Sequence, residues 1–241
     1  MVLLHQMFTF IGRNLIMNNL DFWRRWVVAN ALGELVGLGA TFSIGFLAFS
    51  ATGEPRSVGA VLLLAGATVL TGAIEGAVLG WAQWRAMRTS FSISLKDWLA
   101  ATLAGALSAW FLGIVPSTLM SIGEQSGGAS SVEPPLVVMM FLGGAMGLVL
   151  GVVLAIPQWL VLKKHVEHAA WWIPANSLAW LFGMPIIFGG IDLASSVDCV
   201  LWMIVGVAAT LFLTGATVGA IHGAFLTRFV EQSVSVRSES M

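Results

Sequence analysis

Three ionisable side chains lie inside long apolar stretches of this sequence: Glu34, Glu75 and His222. A charged group at the centre of a bilayer costs from about 2.5 kcal/mol upward, so such residues usually mark ion, proton or substrate pathways. Counted from the nearest arginine along each stretch, at 1.5 Å per helical residue, the three lie about 13, 15 and 9 Å deep. We therefore expect them to share one layer near the middle of a membrane.

Two amides extend this group, because Asn30 and Asn176 lie about one helical turn nearer the same end. Together the five residues predict a central site for a cation, a proton or a small amphipathic molecule. The alternative is structural: a buried glutamic acid bonds to a neighbouring helix, and His222 donates to a carbonyl. A third hypothesis is haem or pigment ligation by His222, since Gly219 and Gly223 beside it are small enough to admit a macrocycle.

Signatures of enzymes are missing from the sequence. There is no His-Glu-x-x-His zinc pattern, no Gly-x-Ser-x-Gly nucleophile turn and no glycine-rich phosphate loop ending in Lys. His165, Glu167 and His168 have a spacing that can hold a metal, but in a lysine-rich turn such residues are usually solvated. We predict no catalytic residue and no metal site, the sequence requires no cofactor, and the balance favours a non-enzymatic protein.

The composition indicates the solvent in which these residues must be placed. Of the 241 residues, 58% are hydrophobic and 10% are charged, and the mean hydropathy is +0.90. A water-soluble domain of this size needs a more charged surface, so the predicted partner is the lipid bilayer. A net charge of −1 offers no basic face for nucleic acid.

A bilayer core of roughly 30 Å requires about 20 apolar residues of helix, and six stretches satisfy this requirement. They run from Trp26 to Ser50, Val58 to Met87, Asp97 to Ile122, Leu136 to Leu162, Trp171 to Gly190, and Val197 to Phe229. The predicted fold class is therefore all-α, a polytopic transmembrane bundle of six helices.

The positive charges predict the orientation, because Lys and Arg are retained on the cytoplasmic side. With the N-terminus inside, all basic residues except Arg56 fall in the inner segments. Both termini are then cytoplasmic. Eight tryptophans fall where spans meet this inner interface, which is the headgroup level that indole prefers. They are Trp23, Trp26, Trp81, Trp84, Trp98, Trp159, Trp171 and Trp172.

The two ends of the chain differ from the spans. Apolar and polar residues alternate with helical periodicity in 1–25, which predicts an amphipathic helix lying in the membrane plane. Residues 26–231 form the predicted six-helix domain. The polar, serine-rich segment 232–241 predicts a disordered cytoplasmic tail.

The odd-numbered spans open alike, with Trp26-Val27-Val28-Ala29-Asn30, Trp98-Leu99-Ala100-Ala101-Thr102 and Trp172-Ile173-Pro174-Ala175-Asn176. The even-numbered spans share small residues at every fourth position, which we call the glycine ladders. In the first two, Gln83-Trp84 and Gln158-Trp159 follow; in the third, Leu226 and Thr227 take these places. The ladder glycines are Gly72, Gly76, Gly80, Gly143, Gly147, Gly151, Gly215, Gly219 and Gly223.

This recurrence predicts three helix hairpins, at about 26–88, 96–164 and 171–230, inserted in the same sense as a parallel repeat. Small residues every fourth position let helix backbones approach closely in lipid, so we assign the ladders to helix packing, with lining of a binding site as the minority alternative.

The repeated Trp-x-x-Ala-Asn openings and Gln-Trp pairs resemble uncharacterised bacterial multi-pass membrane proteins, cyanobacterial ones among them. The resemblance covers two complete hairpin junctions and part of the third. It implies a bacterial cell (inner) membrane, with the thylakoid membrane as an alternative, and it implies no activity.

Three functional classes follow from the sequence. The first is a module that binds or transports a small molecule or an ion. The second is a structural or assembly subunit whose exposed ladders pack against other membrane proteins. The third is the haem or pigment carrier. No ligand is identified by the sequence.

Overall fold

The structure is a computed structural model that describes the backbone of residues 2–126 and 134–239, and the side chains of residues 19–126 and 134–228. Six helices in this part of the chain are long and apolar enough to cross a membrane, which confirms the predicted six-helix membrane class. The helices are α1 (Val2–Thr52), α2 (Val58–Met87), α3 (Leu95–Gln125), α4 (Leu136–Leu162), α5 (Trp172–Ser195) and α6 (Val200–Glu239). A single 3₁₀ turn, Ala169–Trp171, precedes α5.

Local capping explains two of the helix starts. The Ser57 hydroxyl accepts a hydrogen bond from the Ala60 amide at the start of α2, and the Ser94 hydroxyl accepts one from the Asp97 amide at the start of α3. Serine at this position satisfies an amide that the helix leaves unpaired. It also explains why α3 begins at Leu95, before the predicted Asp97.

Helix α5 ends later than the sequence predicts. The sequence predicts a turn after Gly190, but α5 continues to Ser195. The glycine at position 190 serves helix packing and not a turn, because Thr210 of α6 lies directly against it and leaves no room for a side chain. Asp192 therefore belongs to α5 and not to a turn.

The ends of the chain are helical for longer than the sequence predicts. Helix α1 runs unbroken from Val2 to Thr52, with no boundary at residue 25, and α6 extends to Glu239, past the predicted start of a tail at 232. The side chains of 1–18 and 229–241 lie outside the described residues, as does Glu133 in the predicted α3–α4 loop. The predicted in-plane placement of 1–25 stays a prediction.

The six helices form a ring. Each helix packs against its neighbours in the chain, and α6 closes the ring by packing against α1. The outer surface of the ring is apolar, with large side chains such as Leu63, Phe141 and Leu193 at least 70% exposed. In water such a surface would drive aggregation, whereas lipid tails solvate it.

The two ends of the ring differ in charge. The end formed by the α2–α3 and α4–α5 connections carries Arg88, Lys96, Lys163 and Lys164, and we call it the basic end. The opposite end, which holds the α1–α2, α3–α4 and α5–α6 connections, is called the acidic end.

Candidate functional site

A cavity of about 610 Å³ lies within the ring. It begins near the middle of the helices, at Leu38, Glu75 and Leu154, and extends to Asp192 and Ser195 at the acidic end. Helices α1 to α5 all contribute to its wall. Most of the lining is apolar, with four aromatic side chains and three methionines: Phe42, Trp110, Trp180, Phe188, Met139, Met146 and Met184.

Glu75 is the ionisable residue in the inner half of this cavity. It is 6% exposed, and its Oε2 accepts a hydrogen bond of 2.5 Å from the Trp110 indole N–H. The indole can reach it because it lies against Gly72, where any side chain would collide with the ring. A ladder glycine therefore sets the position of the donor that holds Glu75.

Glu34 lies one helical turn from Leu38 on α1 and is fully buried. Neither of its carboxyl oxygens has a hydrogen-bond partner among the described residues. Gly37, on the next turn of α1, packs so closely on α2 that an added Cβ would lie 2.9 Å from the Glu75 Cα. This contact brings the helix turns that carry Glu34 and Glu75 together.

Three buried tryptophans close the ring between the cavity and the basic end. Trp26, Trp98 and Trp172 are each 0% exposed, and their ring centroids lie 6.1 Å (Trp26 to Trp172) and 6.2 Å (Trp98 to Trp172) apart. We call these three side chains and their hydrogen-bond partners the tryptophan layer. Apolar residues nearer the basic end extend this packing, including Phe22, Met87, Phe91, Leu162 and Leu226.

Each indole N–H of the tryptophan layer donates to a side chain of the preceding even-numbered helix. Trp98 donates to Gln83 Oε1 at 3.2 Å, and Trp172 donates to Gln158 Oε1 at 3.0 Å. For Trp26 the preceding helix around the ring is α6, and the acceptor is His222 Nδ1 at 2.8 Å.

Amides join these three pairs into one network. Gln83 Nε2 donates to Asn30 Oδ1 at 2.9 Å, and Gln158 Nε2 donates to the Thr102 hydroxyl at 3.0 Å. Asn30 and Asn176 each return a hydrogen bond to the backbone carbonyl of the tryptophan four residues earlier, at 2.8 and 2.9 Å. The layer thus pairs its buried polar groups internally, as a dry core requires.

The five predicted site residues therefore divide into two groups. Asn30, Asn176 and His222 belong to the tryptophan layer, whereas Glu34 and Glu75 lie further toward the acidic end. The sequence placed all three ionisable residues in one layer because it considered only their depth along each helix.

His222 is the hydrogen-bond acceptor for Trp26, which the sequence pattern did not identify. Position 226 aligns with Gln83 and Gln158, but Leu226 is apolar and fully buried. His222, one turn earlier on the same helix face, supplies the acceptor for Trp26 instead. The signal was present in the sequence: three equivalent tryptophans need three acceptors, and only two glutamines were available.

The space beside His222 is occupied. An added Cβ at Gly219 would lie 2.8 Å from the Asn30 Cβ, and one at Gly223 would lie 2.7 Å from the Trp26 Cδ1. The missing side chains of these two glycines let α1 pack closely against α6, and the His222 imidazole is 1% exposed. This packing does not favour a macrocycle at His222.

The interfacial assignment is wrong for three of the eight tryptophans. Trp26, Trp98 and Trp172 point into the ring, because their N–H groups have dedicated acceptors there. Trp81 and Trp171, which are 55% and 59% exposed, face outward, and their placement at a membrane interface stays a prediction.

The glycine ladders face neighbouring helices. Gly76 and Gly80 of α2 lie against Ala106 and Thr102 of α3, as Gly72 lies against Trp110. The other two ladders also pack against the next odd-numbered helix around the ring. Gly143, Gly147 and Gly151 of α4 lie against Phe188, Trp180 and Asn176 of α5, and Gly215, Gly219 and Gly223 of α6 lie against Asn30, Val27 and Trp26 of α1.

The side chains of His165, Glu167 and His168 in the basic turn are all exposed. In the part of the chain that the structure describes, no three His, Cys, Asp or Glu side chains are grouped so that they could hold a metal ion.

No protein-family model matches this chain, and the comparisons with curated proteins and with solved structures found no significant match.

Proposed function

We propose that this protein is a membrane module that binds, and moves, a small amphipathic molecule carrying a positive charge. The observation that carries the proposal is a cavity of about 610 Å³ with an apolar wall and one carboxyl group, Glu75, in its inner half. Ligand sites in proteins typically have volumes of about 300–1,000 Å³ and combine an apolar lining with a few fixed polar groups.

The wall chemistry supports a cationic ligand. Trp110 and Phe42 line the cavity, and the faces of aromatic rings attract cations. Glu75 adds a carboxyl group that a bound cation would pair with in a low-dielectric site. Methionine side chains suit a wall that adapts to ligands of differing shape.

We infer that the cavity opens at the acidic end, because its lining reaches Asp192 and Ser195 there, and that the tryptophan layer closes it toward the basic end. The distribution of Lys and Arg favours a cytoplasmic basic end in a bacterial cell membrane, with the thylakoid membrane as the alternative. In that orientation the ligand enters from the non-cytoplasmic side.

We further infer that the ring is built from three copies of a helix hairpin. Two sets of contacts support this: the three ladders each pack on the next odd-numbered helix, and the three indoles each donate to the preceding even-numbered one. The ladders are thereby used inside the ring, which weakens the alternative of an assembly subunit with exposed ladders.

Binding of the hydrophobic cation tetraphenylphosphonium to the chain in lipid nanodiscs tests the proposal. Tetraphenylborate is the matched probe of similar size and opposite charge. We expect Glu75→Gln to weaken binding of the cation roughly tenfold, since it removes the Coulomb attraction between the carboxylate and the cation in a low-dielectric site. Binding of the borate should not weaken.

The control variant is Glu54→Gln, which makes the same change at an exposed glutamate of the α1–α2 loop. Equal affinity of the wild type and folded Glu75→Gln for the cation would contradict the proposal, as would tighter binding of the borate by the wild type.

A further inference from the structure

Glu34 has no role in the cavity as described so far. It does not line the cavity, it is 0% exposed, and both of its oxygens lack a hydrogen-bond partner among the described residues. Leaving a charged carboxylate in this state is very costly, because neither water nor a donor replaces its hydration. A neutral carboxylic acid carries a far smaller penalty.

We propose that Glu34 and Glu75 form a proton-binding site whose proton exchanges through the cavity with the acidic end only. Glu34 holds the proton, and Glu75, which reaches the cavity, passes it on. The proposal depends on the cavity and not on the ligand suggested for it.

The helix packing places the two residues on facing turns. An added Cβ at Gly37 would lie 2.9 Å from the Glu75 Cα, so α1 and α2 are in close contact here, and two neighbouring carboxylates in a low-dielectric site do not both ionise readily. The two carboxyl groups are not hydrogen-bonded to each other in this structure, so the transfer requires the Glu34 side chain to rotate toward Glu75; the O–H bond of Glu34 then breaks as one forms on the Glu75 carboxylate. Glu75 then yields the proton to a water molecule in the cavity, and the reverse sequence reloads the site.

The surrounding ionisable groups make the exchange one-sided. From α2 the facing group is Glu75, and from α5 it is Asp192 at the cavity mouth. His222 of α6 is the ionisable group on the basic side, and its Nδ1 is occupied by Trp26. Arg24, Arg25 and Arg85 are exposed beyond the tryptophan layer, which separates them from Glu34.

Infrared spectroscopy of the full chain in nanodiscs tests whether a proton is bound. A protonated carboxylic acid has a C=O stretching band distinct from that of a carboxylate. We expect such a band in the wild type, its loss in Glu34→Gln and its retention in Glu54→Gln. A folded Glu34→Gln with an unchanged band would overturn the proposal.

Labelling of the wild type with dicyclohexylcarbodiimide covers the case in which Glu34→Gln does not fold. This reagent adds to protonated carboxyl groups in apolar surroundings. Peptide mass spectrometry should find the adduct at residue 34 or 75. An adduct at neither residue overturns the proposal.

Sidedness is tested with the same reagent in proteoliposomes buffered separately inside and outside. Cys199 is the single cysteine of the chain and is exposed near the acidic end, so an impermeant maleimide reports which way each molecule is inserted. Labelling should rise when the acidic-end side is acidified and stay constant when the basic-end side is. The opposite dependence would overturn the one-sided exchange. None of these three experiments uses a cavity ligand, so failure here and failure of cation binding are distinguishable.

Discussion

The hydrogen bond between Trp26 and His222 shows how one residue compensates for another. Trp26 is fully buried, so its indole N–H needs an acceptor within the bundle. Leu226 cannot supply it, and His222 does so one turn away at 2.8 Å. In this arrangement the imidazole is a structural acceptor.

At the residue scale we predict that His222→Leu destabilises the protein by about 1–3 kcal/mol, since it leaves a buried donor unpaired. Adding Leu226→Gln should restore part of that loss, because the new amide occupies the position equivalent to Gln83 and Gln158. Thermal unfolding followed by tryptophan fluorescence in detergent measures both effects. A double variant no more stable than His222→Leu would show that position 226 is not equivalent to the two glutamine positions.

Close helix contacts are the main feature at the element scale. Lipid gives helices no hydrophobic gain on association, so contact area between backbones is what holds the ring together. At Gly151 an added Cβ would lie 2.6 Å from the Asn176 carbonyl oxygen, a backbone atom that cannot move alone. An added Cβ at Gly45 of α1 would have no other atom within 4 Å.

This contrast predicts opposite effects of one substitution. Gly151→Ala should destabilise the protein by about 1–3 kcal/mol through overpacking, whereas Gly45→Ala should be neutral or slightly stabilising, since alanine favours the helix by up to about 1 kcal/mol. Equal thermal midpoints for the two variants would contradict the assigned α4–α5 contact.

The sequence predicted the helices well because apolar length is a local property. Val58–Met87 and Leu136–Leu162 match the structure to the residue. The end of α5 was missed since a Gly-Gly-x-Asp run is typical of a turn, whereas here Gly190 makes room for Thr210 of α6. Such contacts are not visible in one sequence.

The candidate site was predictable only in part for the same reason. Depth along a helix identified Glu34 and Glu75 as unusual, but it does not tell which way a side chain faces around the helix axis. The cavity, the Trp110 donor and the division between the carboxyl pair and the tryptophan layer depend on how the six helices are arranged around the ring.

At the scale of the whole molecule, the two ends of the ring differ. The tryptophan layer lies between the cavity and the basic end, and the cavity lining reaches Asp192 and Ser195 at the other end. Under the proposed function, this asymmetry gives a ligand access to the cavity from the acidic end only.

Cys199 allows the orientation to be determined without engineering a new label site. It lies next to α6 at the acidic end and is exposed. We predict that a membrane-impermeant maleimide labels it in intact cells, with Cys199→Ser as the control. Labelling only after the cells are opened would place the acidic end in the cytoplasm and reverse the proposed topology.

The central claim is that ligand occupies the cavity inside the ring, and filling that cavity tests it most directly. A Cβ at Gly113 would make only an ordinary contact, 3.5 Å from Leu150 Cδ1, so Gly113→Leu should place its side chain in the cavity without displacing a helix. Gly45→Leu is the matched variant on the outer surface. In nanodiscs, tetraphenylphosphonium should bind to the wild type and to Gly45→Leu with equal affinity and fail to bind to folded Gly113→Leu. Undiminished binding to Gly113→Leu would contradict the account.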